Sequence, residues 1–161
     1  CTEYFLNNGD AVIALDIDRD ALKMLEDTDG RLLTMVCDVS NSGQVQQAIQ
    51  KGVDVFGEID ILVNNAGIQR YSTITETTEA EWDLVMNANL KSAFLCSKYA
   101  ILSMQKKGSG VVVNVSSVQA FISQERVAPA LIGFLSSAMA GSITGQAFRV
   151  DGGLGILCKG N

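Results

Sequence analysis

The stretch Ile59-Asp60-Ile61-Leu62-Val63-Asn64-Asn65-Ala66-Gly67 constrains the fold more than any other part of this chain. A short apolar run ending in small polar residues and glycine reads as a strand buried on both faces. Such strands belong to parallel sheets covered by helices on both sides. Ala11-Val12-Ile13-Ala14-Leu15, Leu32-Leu33-Thr34-Met35-Val36 and Val111-Val112-Val113-Asn114-Val115 share the pattern. Between two of them, Val45, Ala48, Ile49, Val53 and Phe56 recur at helical spacing until Gly57. Trp82, Val85, Met86, Leu90, Ala93, Phe94, Ala100, Ile101 and Met104 do the same as far as Lys107-Gly108. Strands alternating with helices predict an α/β domain with a doubly wound parallel sheet. The long second stripe is expected to be mostly core, with width left for a subunit contact.

The local signals agree with that layout. Tyr4, Phe5 and Leu6 read as the end of a helix that closes at Asn8-Gly9. Ala21, Leu22, Met24 and Leu25 read as the apolar side of a short helix broken by Gly30. Thr78-Glu79-Ala80-Glu81 has the spacing of a capping box. The chain has 161 residues, 17.2 kDa and 47% hydrophobic residues, which predicts one domain over residues 1–161 with a proper core. A net charge of −6 argues against a nucleic-acid partner, whose phosphates need a basic surface. No apolar run is long enough to span a bilayer and no signal-peptide pattern is present, so no membrane partner is expected. Cys1, Cys37, Cys96 and Cys158 are scattered and histidine is absent, which disfavours zinc and suits a cytoplasmic location.

In open α/β sheets, ligands lie beyond the carboxyl ends of the strands. Here those ends are Asp16-Ile17-Asp18, Cys37-Asp38-Val39-Ser40, Asn64-Asn65-Ala66-Gly67 and Ser116-Ser117. Ala66 and Gly67 let a flat ligand approach the backbone, although Asn-Gly-rich turns are also common without any ligand. An acidic residue at the end of the second strand of a dinucleotide fold accepts hydrogen bonds from the adenosine ribose, which fits Asp16. It also repels a 2′-phosphate: two like charges ~4 Å apart at an effective dielectric of about 20 cost roughly 4 kcal/mol. NAD is therefore expected over NADP. An aspartate here can equally cap the helix that follows, as can Asp38.

Asn64-Asn65-Ala66-Gly67 behind Asp60-Ile61-Leu62-Val63 resembles the short-chain dehydrogenase/reductase family, and other stretches agree in matching order. The resemblance implies a Rossmann-like sheet and a nicotinamide cofactor. It places cofactor contacts at Asp16 and Ile17, at Asp38 (adenine amine) and Val39 (adenine ring), and at Asn64, Asn65, Ala66 and Gly67. Trp82-Asp83-Leu84-Val85-Met86-Asn87-Ala88-Asn89-Leu90-Lys91 is similar to the family segment whose Asn precedes Leu. That implies at Asn89 the asparagine holding a water in the proton relay; from the residues alone, a backbone-bonded Asn at a helix kink fits as well. Val111 to Ser117 resembles the strand delivering the catalytic serine, implying that Ser117 donates to the substrate carbonyl oxygen. Without histidine, a Ser-His-Asp hydrolase is excluded. Glu125 to Leu135 reads as a helix and Ser142 to Gly153 as a turn, strand and glycine end, both similar to the family's C-terminal region. Gln69, Arg70 and Tyr71 follow the glycine turn and are candidates to face the substrate.

Two family motifs do not occur: a Thr-Gly-x-x-x-Gly-x-Gly loop before Asp16 and a Tyr-x-x-x-Lys after Ser117. The first would cradle the pyrophosphate, and the second would supply the general acid/base with a lysine lowering its pKa. The strands present correspond to the second, third, fourth, fifth and last of the doubly wound order. Without the first, the second and fourth lose their common neighbour. Orphaned backbone groups at about 1–3 kcal/mol each would then exceed an ordinary domain's stability of about 5–15 kcal/mol. The expectation is therefore missing segments before Cys1 and near Gln124–Val127, and an intact mass several kilodaltons above 17.2 kDa. The function implied is hydride transfer between NAD and a secondary alcohol or ketone, in a homotetramer or dimer. The alternatives are a catalytically inactive Rossmann-like binding or scaffold protein and a fragment without function.

Overall fold

The structure, a computed structural model, describes residues 1–27, 29–73 and 75–116. Ser117, the Gln124–Val127 junction and the segments 125–135 and 142–153 lie outside the described residues. The elements run α1 (Thr2–Asn7), β1 (Val12–Asp16), α2 (Arg19–Lys23), β2 (Leu32–Val36), α3 (Ser42–Phe56) and β3 (Ile61–Asn64). After a long loop come α4 (Glu79–Met86), a π-helical turn (Asn87–Lys91), α5 (Ser92–Lys107) and β4 (Val111–Asn114).

Three helices, α2, α3 and α4, begin where a side chain satisfies the first free N–H groups. Asp18 accepts from the N–H groups of Asp20 and Ala21 at the start of α2, and Asn41 from those of Gly43 and Gln44 at the start of α3. Thr78 and Glu81 form the reciprocal capping box of α4. At the other end of α5, Gly108 takes the left-handed conformation at φ 80°, and Lys106 and Lys107 lie in the last turn, where the helix dipole favours cations.

The strands form two parallel pairs. β1 lies beside β2 with Val12 opposite Leu32 and Asp16 opposite Val36; β3 lies beside β4 with Ile61 opposite Val111 and Asn64 opposite Asn114. Among the described residues no ladder joins β1 to β3. This is the gap expected between the second and fourth strands of a doubly wound sheet. What unites the pairs is a shared core of Cys37, Val45, Ala48, Leu95 and Cys96. Leu15, Met35, Val39, Ile49, Leu62 and Tyr99 pack around it, so residues of β1, β2, α3, β3 and α5 meet there. The Tyr99 hydroxyl adds a hydrogen bond to Ser42 Oγ at 2.7 Å, tying α5 to the start of α3. Helix α3 also rides close to β1: a Cβ at Gly52 would overlap Ile13.

Three expectations need correction. The strands are not sealed on both faces, since most of their residues are only partly buried, a consequence of the open edge at β1 and β3. Met24, expected on the apolar side of its helix, is 82% exposed because α2 ends at Lys23. The long stripe is not mostly core either. Of its residues Ala100 and Met104 are buried, whereas Leu90 and Phe94 are each 61% exposed, and the core is instead filled by Leu95 and Cys96, which were not part of the stripe. The π turn explains part of this, because its wider winding shifts the face presented by residues on either side.

Candidate functional site

Parallel pairing carries the ends of β1 and β2 to the same edge. The Cys37 N–H donates to the Asp16 carbonyl at 2.8 Å, so Asp16 and Asp38 flank one continuous rim. Asp16 Oδ1 accepts from the Asp18 N–H at 2.9 Å, while Asp18 takes the cap of α2. The cap is therefore two residues beyond Asp16. Its carboxylate stays at the exposed strand end beside exposed Ile17.

Asp38 is not a helix cap either, because Asn41 fills that role for α3. Asp38 Oδ1 accepts from the N–H and hydroxyl of Ser40 at 2.9 and 2.7 Å, and its own N–H donates to Gln44 Oε1 at 2.8 Å. The turn is thus fixed from both sides, with Val39 packed on the core. Burial, helped by the Asp38 charge, pushes the Cys37 thiol up. It stays protonated and serves the core rather than chemistry. Gln44 and Ser40 had no signal in the sequence beyond their polarity; only the turn brings them to Asp38.

At the second rim, Asn64 Nδ2 donates to Asn114 Oδ1 at 2.8 Å and to Ser97 Oγ at 3.2 Å, linking β3, β4 and α5. Asn65, Ala66 and Gly67 follow, all exposed. Asn89, 21 residues later in sequence, grips the same turn with both ends of its amide. Its Oδ1 accepts from the Ile68 N–H at 2.7 Å, and its Nδ2 donates to the Ile68 carbonyl at 2.9 Å. A Cβ on Gly67 would stand 3.3 Å from Asn89 Oδ1, tighter than an ordinary contact, so a side chain there would have to push the amide back by a few tenths of an ångström. Asn89 lies in the π turn, and π turns are frequent at functional sites. Buried Ser92 donates to the Ala88 carbonyl at 2.5 Å, supporting that turn.

Beyond Ile68, Arg70 joins Ser72, Thr77, Glu81, Trp82 and Val85 around a cleft of about 160 Å³. Tyr71 is 84% exposed and does not line the cleft. Thr78 holds Glu81 by a backbone and a hydroxyl hydrogen bond, and these, with the nearby Arg70 charge, keep its carboxyl below the usual range.

The groups at the two rims suit an adenine dinucleotide. An exposed carboxylate at the end of β1 can accept from ribose hydroxyls, and a turn of small exposed residues at the end of β3 admits a flat ring. Among the described residues, no cluster of three histidine, cysteine, aspartate or glutamate side chains is arranged to hold a metal ion.

The short chain dehydrogenase family profile matches residues 1–129. The chain is 42% identical over 99 residues to an uncharacterized oxidoreductase of Thermotoga maritima, covering 62% of this chain and 39% of that protein. It is 38% identical over 121 residues to the 3-oxoacyl-[acyl-carrier-protein] reductase FabG of the same organism, covering 73% of this chain and 49% of the relative. A short-chain dehydrogenase from Streptomyces avermitilis superposes with a TM-score of 0.69 at 27% identity, covering 76% of this chain and 46% of that one. The chain spans about two-fifths to one-half of the length of the curated relatives it matches. Its two parallel sheet rims, its asparagine-clamped turn and a family match over most of its length place this chain in the short-chain dehydrogenase family.

Proposed function

We propose that this chain supplies the dinucleotide-binding part of an NAD-dependent oxidoreductase acting on a secondary alcohol or ketone. The observation that carries the reading is the double hydrogen bond from Asn89 to Ile68, which fixes the turn at the end of β3. The bound nicotinamide would supply the hydride acceptor or donor. Asp16 would accept from the adenosine ribose and repel a 2′-phosphate, favouring NAD over NADP. Ile17, Asp38 and Val39 would line the adenine, and Asn64, Asn65, Ala66 and Gly67 the ring beyond the pyrophosphate.

Ser117 would donate its hydroxyl to the substrate oxygen, stabilising the charge that grows there. Asn89, with its amide committed to Ile68, would hold the relay in place. No Tyr-x-x-x-Lys occurs in the sequence; on the oxidoreductase reading, a tyrosine outside these 161 residues would carry the proton. The same observation favours the second reading, an inactive Rossmann-like binding protein. Exposed Leu90 and Phe94 support assembly as a homotetramer or dimer. The acidic charge and unpaired described thiols support a cytoplasmic setting.

The test is titration of the full-length protein with NAD and NADP, then a screen of alcohols and ketones. Tighter NAD binding with turnover supports the enzyme; binding without turnover of any substrate supports the inactive protein. Indifference to both nucleotides overturns both readings.

A further inference from the structure

We propose that the cleft beside the β3 turn binds a carboxylate carried by the substrate, with Arg70 as the residue that recognises it. This rests on the oxidoreductase reading above. The cleft opens three residues beyond Gly67, at the carboxyl end of β3, where ligands of open α/β sheets lie. Its other wall is α4, which runs directly into the π turn bearing Asn89. Head group and reacting carbon would therefore be held by neighbouring parts of one loop. At about 30 Å³ per water, its volume of about 160 Å³ takes a group of roughly five heavy atoms, the size of a carboxylate with a short stem.

The charges decide which head group fits. Among the described residues, the Arg70 guanidinium makes one hydrogen bond, from Nη1 to the Gln69 carbonyl at 3.2 Å, and no ion pair. A guanidinium carries five donors in a fork that matches a carboxylate, so recognition capacity remains. Glu81 faces the same cleft with one of its two oxygens engaged: Oε2 accepts from the Thr78 N–H and hydroxyl, both at 3.0 Å. Its charge draws Arg70 toward the cleft, which makes Glu81 a positioning residue. Thr77 spends its hydroxyl proton on the Thr73 carbonyl at 2.8 Å. An ammonium group would meet the like charge of Arg70 and find one of the two Glu81 oxygens engaged; a carboxylate finds the fork. Trp82, 55% exposed, and Val85 give the stem an apolar wall.

The experiment compares, on the full-length protein, a short hydroxy acid, its methyl ester, the amino alcohol of equal length and the phosphate monoester. Charge-assisted hydrogen bonds predict an acid-over-ester preference of about tenfold to hundredfold, expressed in KM. In Arg70→Gln that preference collapses, and Arg70→Lys keeps part of it. Binding is read independently of turnover by calorimetry with butanoate, which should bind the natural protein, fail with Arg70→Gln and exceed butyramide. Glu81→Gln should weaken butanoate less than Arg70→Gln does. Equal use of acid and ester, a preference surviving in Arg70→Gln, or better use of the amine or phosphate overturns the carboxylate site. Turnover of neutral ketones without acid preference removes this site while leaving the oxidoreductase reading intact. Absence of nucleotide binding removes that reading, and the butanoate titration still decides whether Arg70 binds an acid.

Discussion

Asn89 shows how one amide can define a site. Ile68 is gripped at both its N–H and its carbonyl, so neither backbone group competes for a ligand. Asn89→Ala leaves both without their partner, and chemical denaturation should register a loss of about 1–2 kcal/mol, at the low end for exposed groups. Activity should fall further than stability because the turn loses its aim. Asp16 makes the complementary case for selectivity. Its carboxylate is held by the Asp18 N–H and released from capping, so Asp16→Asn removes charge while leaving the turn in place. The NADP-to-NAD ratio of kcat/KM should rise by about tenfold or more. A ratio unmoved by the substitution would show that the 2′-position is read elsewhere. The sequence marked both residues by place alone; Asp16 finds its partner two residues on in a local turn, whereas Asn89 reaches back 21 residues to Ile68, a distance that no local pattern encodes.

The start of helix α4 was legible in the sequence, because a capping box is a local motif with fixed spacing; its end at Met86 was not. Thr78→Ala should destabilise the protein by about 1 kcal/mol in denaturant titrations. Hydrogen bonds from Thr78 lower the Glu81 pKa below its ordinary 4.5. The sign follows from linkage. The contribution is fully present above the unfolded value near 4.5 and is lost as pH falls through the lowered folded value. Thr78→Ala keeps the backbone bond to Glu81 and loses the hydroxyl bond, so its stability deficit should narrow toward acid pH without vanishing, because the Thr78 hydroxyl also accepts from the Glu81 N–H. The π turn, in contrast, has no local sequence mark beyond two asparagines in an apolar stripe. Its winding is decided by Asn89 reaching Ile68 and Ser92 closing on Ala88. That is why the stripe seemed continuous in sequence while Leu90 and Phe94 turn outward in space.

At the scale of the whole molecule, one small core holds two strand pairs together. Cys37 and Cys96 lie inside it, and burial pushes the Cys96 thiol up to about 11. At pH 8 both should resist a thiol reagent that labels exposed Cys1, and become reactive only when the core opens in denaturant. Labelling of Cys37 or Cys96 in the native protein would mean that the two pairs separate readily. The open flank between β1 and β3 fits a chain that covers about half of its curated relatives. An intact mass well above 17.2 kDa is the corresponding expectation.

The sequence alone determined the strand and helix alternation, the parallel class, the capping box of α4 and the strand ends beyond which ligands of such sheets lie. Those features depend on periodicity, capping spacing and small residues, all of them properties of neighbouring positions. The tertiary structure alone decided which strands pair, which end of Asn89 meets which atom of Ile68, and that Arg70 and Glu81 share a cleft. These depend on groups distant in sequence meeting at hydrogen-bond range, where a shift of an ångström makes or breaks the contact.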